Sequence, residues 1–354
     1  MLNRRRFLKT AAAVSGSVAL SRFMIPGKHA AATQAQPRMI PTPLRRPDEV
    51  PPARIAFVKT QDRAAGVTRA LDLLGINPVQ DKRVLLKPNW NTSDPCPGST
   101  HNDTLRALVQ TLHGMGAGHI TVGDRSYEGA HSVMTKFGIY DMAEELGFET
   151  ISFNDLPADA TNWEWVQPED SHWQRGFLVA RPVVEAESVI TTCCLKTHGY
   201  GGHYTMSLKN SVGVLPKSGP CGDVVVRLMD ELHGSPYQRH MIAETNLAYT
   251  PDLIVLDGVE AFTSGGPMTG TRVTSEVVLA GTDRVAIDAV GVAILRYFGT
   301  TDVVRAGRIF ETEQIARAAA LGIGVDRPEK IELVTDDPDS AAYADMIGDI
   351  LAAG

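Results

Sequence analysis

From residue 53 onward, apolar and polar positions alternate in blocks of two kinds. Short runs rich in Val, Ile, Leu and Phe recur at RIAFVK (54–59), RVLLK (83–87), HITVGD (119–124), FETISF (148–153), SVITTCCLK (188–196), DLIVLDGVEAF (252–262), EVVLAGTD (276–283) and KIELVTD (330–336). Each has the length and β-branched content of a buried strand. Between them lie segments with apolar residues at helical spacing: 66–75, 103–116, 132–147, 235–250, 283–299, 311–322 and 341–354. Strand–helix alternation predicts an α/β fold with a mostly parallel, mixed sheet and helices on both faces, in one body or in two α/β lobes. Asp103 and Asp283 stand where N-caps are expected. Residues 155–174 are polar and aromatic and predict a surface excursion, and FLVARPVVEA (177–186) reads as a strand close before SVITTCCLK.

Ahead of this pattern the chain changes character. Residues 1–32 begin with Arg4-Arg5-Arg6-Phe7-Leu8-Lys9, continue through a weakly apolar run and end in Ala30-Ala31-Ala32. A basic start, a short apolar middle and small residues at a cut site describe a signal peptide. Its RRxFLK core resembles a twin-arginine export signal, which implies the twin-arginine export machinery as a partner and a periplasmic or otherwise exported location. Residues 33–52 are proline-rich and read as a linker, and residues 53–354 form the α/β domain. No apolar run reaches the ~18 residues of a membrane-spanning helix, so no stable span is expected once the signal is removed.

The formal net charge of the chain is −7, and residues 1–32 contribute six basic and no acidic side chains, so the remainder carries −13. A negative surface argues against nucleic acid as a partner. Any anion site must be a local cluster of cations. Of the four cysteines, Cys193 and Cys194 are adjacent, while Cys96 and Cys221 are distant. No CxxC spacing exists, so a ferredoxin-type iron–sulfur cluster is unsupported. A disulfide such as Cys194–Cys221 is left open by the spacing.

Candidate chemistry gathers where strands end. The second run ends in Lys87-Pro88-Asn89, the third in Asp124-Arg125, the cysteine run in Lys196-Thr197-His198, and DLIVLDG at Asp257. In a parallel sheet such ends share one edge, where ligands bind. The segment 193–216, CCLKTHGYGGHYTMSLKNSVGVLP, is the densest, with His198, His203, Lys209 and Asn210 around a Gly-Tyr-Gly-Gly turn. Lysines brought together attract an anionic group and lower one another's pKa, which suits a base or Schiff-base nucleophile. Lys196, His198, Lys209 and His203 are therefore the expected catalytic groups. Lys87, Asn89, Asn210, Asp257 and Gly266 are expected to hold a small anionic ligand, with Gly266 in the glycine-rich loop SGGPMTG. A metal ion is a candidate cofactor, with Cys193, His198 and His203 as its ligands, although adjacent strand residues point to opposite faces. His101 and His131, in loops after the second and third strands, are further candidates to join the site, and Asp288 reads as a paired or solvated helix residue.

The blocks VLLKPNW, TLRALVQTLHGMGAGHITVGD, the KTH and LKN-x-x-G elements, LIVLDGVEAFTSGGPMTGT and GTDRVAIDAVGVAIL resemble the domain of unknown function 362 family and follow that family's order over roughly 53–325. The resemblance implies the α/β domain and its site. Some relatives carry a ferredoxin-like cluster segment, whose cysteine pattern is missing here. The expected function is an enzyme that moves a proton, or uses a metal, on a small anionic organic molecule. The alternative is an exported ligand-binding or cofactor-handling protein without turnover.

Overall fold

The computed structural model describes residues 36–354; the leader and the first three residues of the proline-rich segment lie outside the described residues. Nine strands form the main sheet: β1 (Ala53–Lys59), β2 (Arg83–Lys87), β3 (His119–Asp124), β4 (Glu149–Ser152), β5 (Ser188–His198), β6 (His203–Thr205), β7 (Leu253–Gly265), β8 (Gly270–Gly281) and β9 (Ile331–Val334). Their order is β9-β1-β8-β7-β5-β2-β3-β4, with β6 folded back on β5. Every pairing is parallel except those made by β8 and β6. The mostly parallel, mixed α/β sheet is thus as the alternation predicts, and residues 36–354 belong to one compact unit rather than two lobes.

Both faces of the sheet are covered, which is why its strands read as continuous apolar runs. On one face Phe57, Cys193, Leu195, Leu256 and Leu279 pack with the apolar side of helix Arg284–Tyr297 and with Tyr343 and Ile347 of helix Pro338–Ala353. On the other, Val58, Val84, Leu86, Ile190 and Val255 meet helices Arg63–Leu74 and Asn102–Gly114. The period of two along β5 sends Cys193 and Leu195 to the first face and Cys194, Lys196 and His198 to the second. Register then separates two of the lysines. Leu86 pairs with Ile190 and Lys87 with Thr191, so Lys87 takes the face opposite Lys196.

Several local expectations are revised. The cap of the second helix is His101, whose Nδ1 accepts from the Asp103 N–H at 3.1 Å, not Asp103. Asp283 caps its helix through Val285 and Ala286 N–H. Pro182 turns FLVARPVVEA into a strand, Phe177–Ala180, followed by a helical turn. That strand does not join the main sheet. It pairs with Trp163–Pro168 from the surface excursion, which in turn pairs with Arg38–Ile40. Residues of the proline-rich segment therefore pack on the domain, with Ile40 and Val50 buried. Strand β7 does not end at Asp257. A shift in its pairing between Gly258 and Glu260 lets it run on to Gly265.

Candidate functional site

Two lysines near the carboxyl edge of the sheet illustrate what the fold does with its buried cations. Lys87, fully enclosed at the end of β2, uses all three donors. Its Nζ lies 2.8 Å from Asp124 Oδ1, 2.8 Å from Asn210 Oδ1 and 3.0 Å from the Pro88 carbonyl. Asp124 is equally occupied, accepting from the N–H groups of Trp90 and Arg125 at 2.8 Å each. Burial pushes its carboxyl up, against the pull of Lys87 and those two N–H groups. The amide of Asn210 donates to Thr192 O. Gly213 completes the arrangement, because a Cβ there would collide with Asp124 Oδ1 and stand 2.8 Å from Lys87 Nζ. This gives LKN-x-x-G a physical meaning: Asn210 holds the ammonium and Gly213 leaves room for the ion pair.

Lys209, one residue before Asn210, is in the opposite condition. It sits on the short helix Ser207–Asn210, whose first N–H groups are held by the buried Asp288 carboxylate (2.7 Å from Ser207 N, 3.2 Å from Leu208 N). The Asp288 carboxyl is pushed up to about 7 by burial. Lys209 itself is half-buried and makes no hydrogen bond or ion pair among the described residues. Burial, reinforced by the charges of Lys196 and Arg125, lowers its pKa to about 7. His198 lies beside it. A Cβ on Gly202 would stand 2.8 Å from Lys209 Cε and 3.0 Å from His198 Nδ1, so the two side chains share the space the glycine leaves open. Burial first, then Lys209, Lys196 and His233, hold the His198 imidazole well below its ordinary pKa. Its Nδ1 accepts the Tyr200 N–H at 3.2 Å, which leaves Nε2 to carry the proton of the neutral ring.

Two further basic groups face the same space. Arg125, 7% exposed, gives one nitrogen to Val212 O at 3.3 Å and to Met229 Sδ at 3.4 Å, and its buried Nε has no partner. The nearest carboxylate, Asp124, is held by Lys87. His233, at the rim, comes from helix Leu228–Gly234. Its Nδ1 meets the Gln238 side chain at 2.9 Å. With the Gln238 amide turned to satisfy both its ends, His233 Nδ1–H donates to the amide oxygen, and the amide nitrogen donates to Tyr200 O and Gly201 O. Nε2 of His233 then keeps its lone pair. Burial, with Lys209 and Arg125, holds this imidazole below its ordinary pKa. Lys209, Arg125, His198 and His233 thus form a cluster of basic groups in which, among the described residues, no carboxylate opposes Lys209.

Lys196 links this cluster to a second group of side chains. Fully enclosed, it donates to the Gly98 carbonyl, and burial lowers its pKa against the opposing pull of Cys194 and Cys96. The Cys96 and Cys194 thiols lie close enough to shift each other's protonation, and Cys96 Sγ accepts from Arg63 at 3.6 Å. Cys194 pairs in the sheet with Asp257, whose Oδ2 lies 3.9 Å from Cys96 Sγ. Asp257 is saturated: Arg63 Nε donates at 2.9 Å, Thr104 Oγ1 at 2.6 Å and Val259 N at 3.2 Å. It is the ion-pair partner of Arg63.

A family model described as Domain of unknown function (DUF362) matches residues 84–293, more than half of the chain and the whole span from Lys87 to the helix that carries Asp288. The chain belongs to the DUF362 family. It is also similar to a thylakoid-associated protein of Synechocystis sp., 27% identical over 219 residues, which are 60% of this chain and 63% of that relative. The chain thus spans less than two thirds of that curated relative's length.

Within this DUF362 domain the structure brings together some of the residues that the sequence singled out and separates others. Lys196, His198 and Lys209 share one neighbourhood, and Asn210 reaches it only through its tie to Lys87. His203 pairs across the β5–β6 turn with His198 in backbone register, but its φ of 60° turns it toward Arg239 and Glu313. Gly266 serves the backbone. Its φ is 71°, its carbonyl accepts from Gly199 N at 3.1 Å, and a Cβ would strike the Thr197 carbonyl. Asn89 fixes a loop through Thr100, and its buried Oδ1 has no partner. Cys193 is packed with Phe57 and Leu195 on the face opposite His198, so the trio Cys193, His198 and His203 does not converge. Among the described residues, no three His, Cys, Asp or Glu side chains are grouped to hold a metal. All four cysteines are free, and the sulfur facing Cys194 is that of Cys96, not Cys221, which lies in the hairpin 219–226. His101 caps a helix and His131 bonds to Tyr140 at 2.7 Å.

Two residues of the cluster are not among the expected site residues. Arg125 follows a conspicuous strand-end aspartate, and its position after Gly-Asp was a usable signal. His233 has none, because its place depends on how the helix Leu228–Gly234 packs through Gln238.

Proposed function

We propose that this DUF362 protein is an enzyme acting on a small organic anion bound at Lys209, Arg125, His198 and His233. One observation carries the reading: two cations and two imidazoles lie together, with no carboxylate among the described residues to balance Lys209. Leaving an ammonium desolvated and unpaired is costly, and a bound anion removes that cost. Lys209 and Arg125 supply the charge. His198 supplies an Nε2–H donor and His233 an Nε2 acceptor, the pair of groups a proton transfer requires. Lys196 stands behind them, and its charge keeps the Lys209 amine poorly protonated. Lys87, Asn210 and Asp257 support the site through the ion pairs beneath it.

The test is equilibrium binding of small carboxylates to the purified chain, followed by a search for turnover of whichever is bound. Replacement of Arg125 by Met is expected to weaken binding at least tenfold, the scale of a lost charged hydrogen bond of roughly 1.5–3 kcal/mol. Replacement of His198 by Gln is expected to lower turnover with little change in affinity. Tight binding without conversion of any ligand would reduce the protein to a ligand-binding or cofactor-handling one.

Export is the second part of the proposal. The Arg4–Lys9 segment supports the twin-arginine route, and a thylakoid-associated relative is compatible with delivery to a membrane-bounded compartment. Among the described residues no helix is long and apolar enough to cross a membrane. Fusing residues 1–32 to a folded reporter tests this: export should be lost when Arg4 and Arg5 are both changed to Lys, and export that persists would rule the route out.

A further inference from the structure

We propose that Lys209 forms a Schiff base with the carbonyl carbon of a small 2-oxo acid. This rests on the anion-site reading above and narrows it to a substrate class and a covalent step. The three lysines of the site differ in what their nitrogen lone pair can reach. Lys87 is fully enclosed, and its ammonium is bound to a carboxylate, an amide oxygen and a carbonyl. Lys196 is fully enclosed against Gly98 O. Lys209 alone of the three combines partial exposure with no hydrogen-bond or carboxylate partner among the described residues.

The groups around it suit a 2-oxo acid rather than a simple carboxylate. A carboxylate held by the Arg125 guanidinium, whose Nε is unpartnered, carries its 2-carbonyl on the next carbon. Arg125 donates to Val212 O at 3.3 Å, in the turn that directly follows the short helix of Lys209, so an anion on Arg125 would sit on the side of the site that carries the amine. His198 presents an Nε2–H because Nδ1 is occupied by the Tyr200 N–H; that hydrogen can bond to the carbonyl oxygen and polarise it. The charged and titratable groups facing Lys209 are Arg125, Lys196, His198 and His233. Asp124, behind Arg125, is engaged by Lys87, and Asp230 lies beyond His233. With Lys196 and Arg125 acting on it and no carboxylate opposite among the described residues, the amine is held partly unprotonated near neutral pH, as a Schiff-base lysine must be.

The step balances without an added oxidant or reductant. The lone pair of the neutral amine attacks the carbonyl carbon, and a C–N bond forms. The two amine hydrogens pass to the former carbonyl oxygen, the first with His233 Nε2 as the acceptor that relays it. The C–O bond breaks, and that oxygen leaves as water. The imine then takes one proton from solvent to become the iminium. An iminium beside a carboxylate stabilises negative charge on the adjacent carbon, so the class of chemistry opened is proton exchange or carbon–carbon cleavage next to the former carbonyl.

The experiment uses the purified full chain with pyruvate as the probe and sodium cyanoborohydride as the trap, read by intact mass and peptide mapping. One adduct is expected, with the mass of pyruvate less one oxygen, on the peptide containing Lys209. Acetate, an anion with no ketone, should block the labelling by competition. Lys209→Arg should abolish the adduct and still bind acetate; the wild-type map stands without it should that variant fail to fold. If pyruvate and acetate both bind at the cluster but no adduct forms, or the adduct falls on another lysine, the Schiff-base inference is overturned and the anion site stands. If neither anion binds and no adduct forms, the anion reading fails and this inference with it.

Discussion

Lys87 and Lys209 belong to one short stretch of space and meet opposite fates. Each is a lysine beside a turn, each is reached through the LKN-x-x-G element, and each is desolvated. Lys87 has a carboxylate at 2.8 Å and two neutral oxygens, and its three donors are used. Lys209, half-buried, has neighbours of its own sign and no hydrogen-bond or ion-pair partner among the described residues. Proximity to a strand end therefore does not identify a functional lysine. What does is whether the protein has supplied a partner. The fold has satisfied one buried cation completely and left the other for a ligand.

The largest expected effect comes from removing the satisfied one. Lys87→Ala leaves Asp124 enclosed with only two backbone N–H groups, and loss of one member of a buried pair costs about 3–5 kcal/mol. Urea unfolding should show that loss, while any variant that still folds should keep its carboxylate affinity within a factor of about three, under 1 kcal/mol. A Lys87 variant of normal stability that no longer binds carboxylates would exchange the roles assigned to the two lysines.

Next in size is the pH dependence of ligand binding. The anion is held by protonated Lys209, whose pKa in the free protein is about 7. A carboxylate ligand stays ionised from pH 6 upward, so only the lysine titrates. Affinity should be constant well below pH 7 and fall about tenfold per unit above it, or roughly a hundredfold by pH 9. Calorimetry should show proton uptake on binding in that range. A flat profile from pH 6 to 9 would place the anion on Arg125 alone.

A smaller effect sharpens the same contrast from the structural side. Gly213→Ala puts a methyl group against Asp124 Oδ1 and Lys87 Nζ. Overpacking of this kind costs about 1–3 kcal/mol, and it should appear in thermal unfolding. The same change is expected to leave the pH profile of binding unmoved, because it touches the pair and not the cluster.

How far these roles could be read from sequence depends on the range of the interactions. The sheet was legible because both its faces are covered, so each strand stands out as an apolar run between turns. Asp257 misled because Gly258 looks like the end of a strand, while the actual strand absorbs that residue in an irregularity and continues. The lysines were legible as a set but not one by one. Whether Lys87 has a carboxylate depends on Asp124, from the neighbouring strand, and on Asn210, more than a hundred residues away. The period of two in β5 correctly separated Cys193 from Cys194, yet the partner of Cys194 came from a loop that no periodicity reaches. His233 was invisible for the same reason: its tautomer and position are set by Gln238 and the packing of two helices.

The smallest expected effect tests the comparison most directly, because its sign is opposite to that at Lys87. The pKa of Lys209 is about 7 in the folded chain against an ordinary 10.5. Between these values the unfolded chain binds more protons than the folded one, so this group makes stability rise with pH across that window. Below pH 7 the lysine is protonated in both states, and the full cost of its desolvation is present. Lys209→Met removes that cost. The variant should be more stable than the wild type at pH 6, by up to about 1 kcal/mol once partial exposure is allowed for. The gap should close as pH approaches 10. Denaturant midpoints measured at pH 6, 8 and 10 on both proteins give the answer. A variant less stable than the wild type at pH 6 would mean that Lys209 is satisfied in the free protein after all, and that the two lysines are alike.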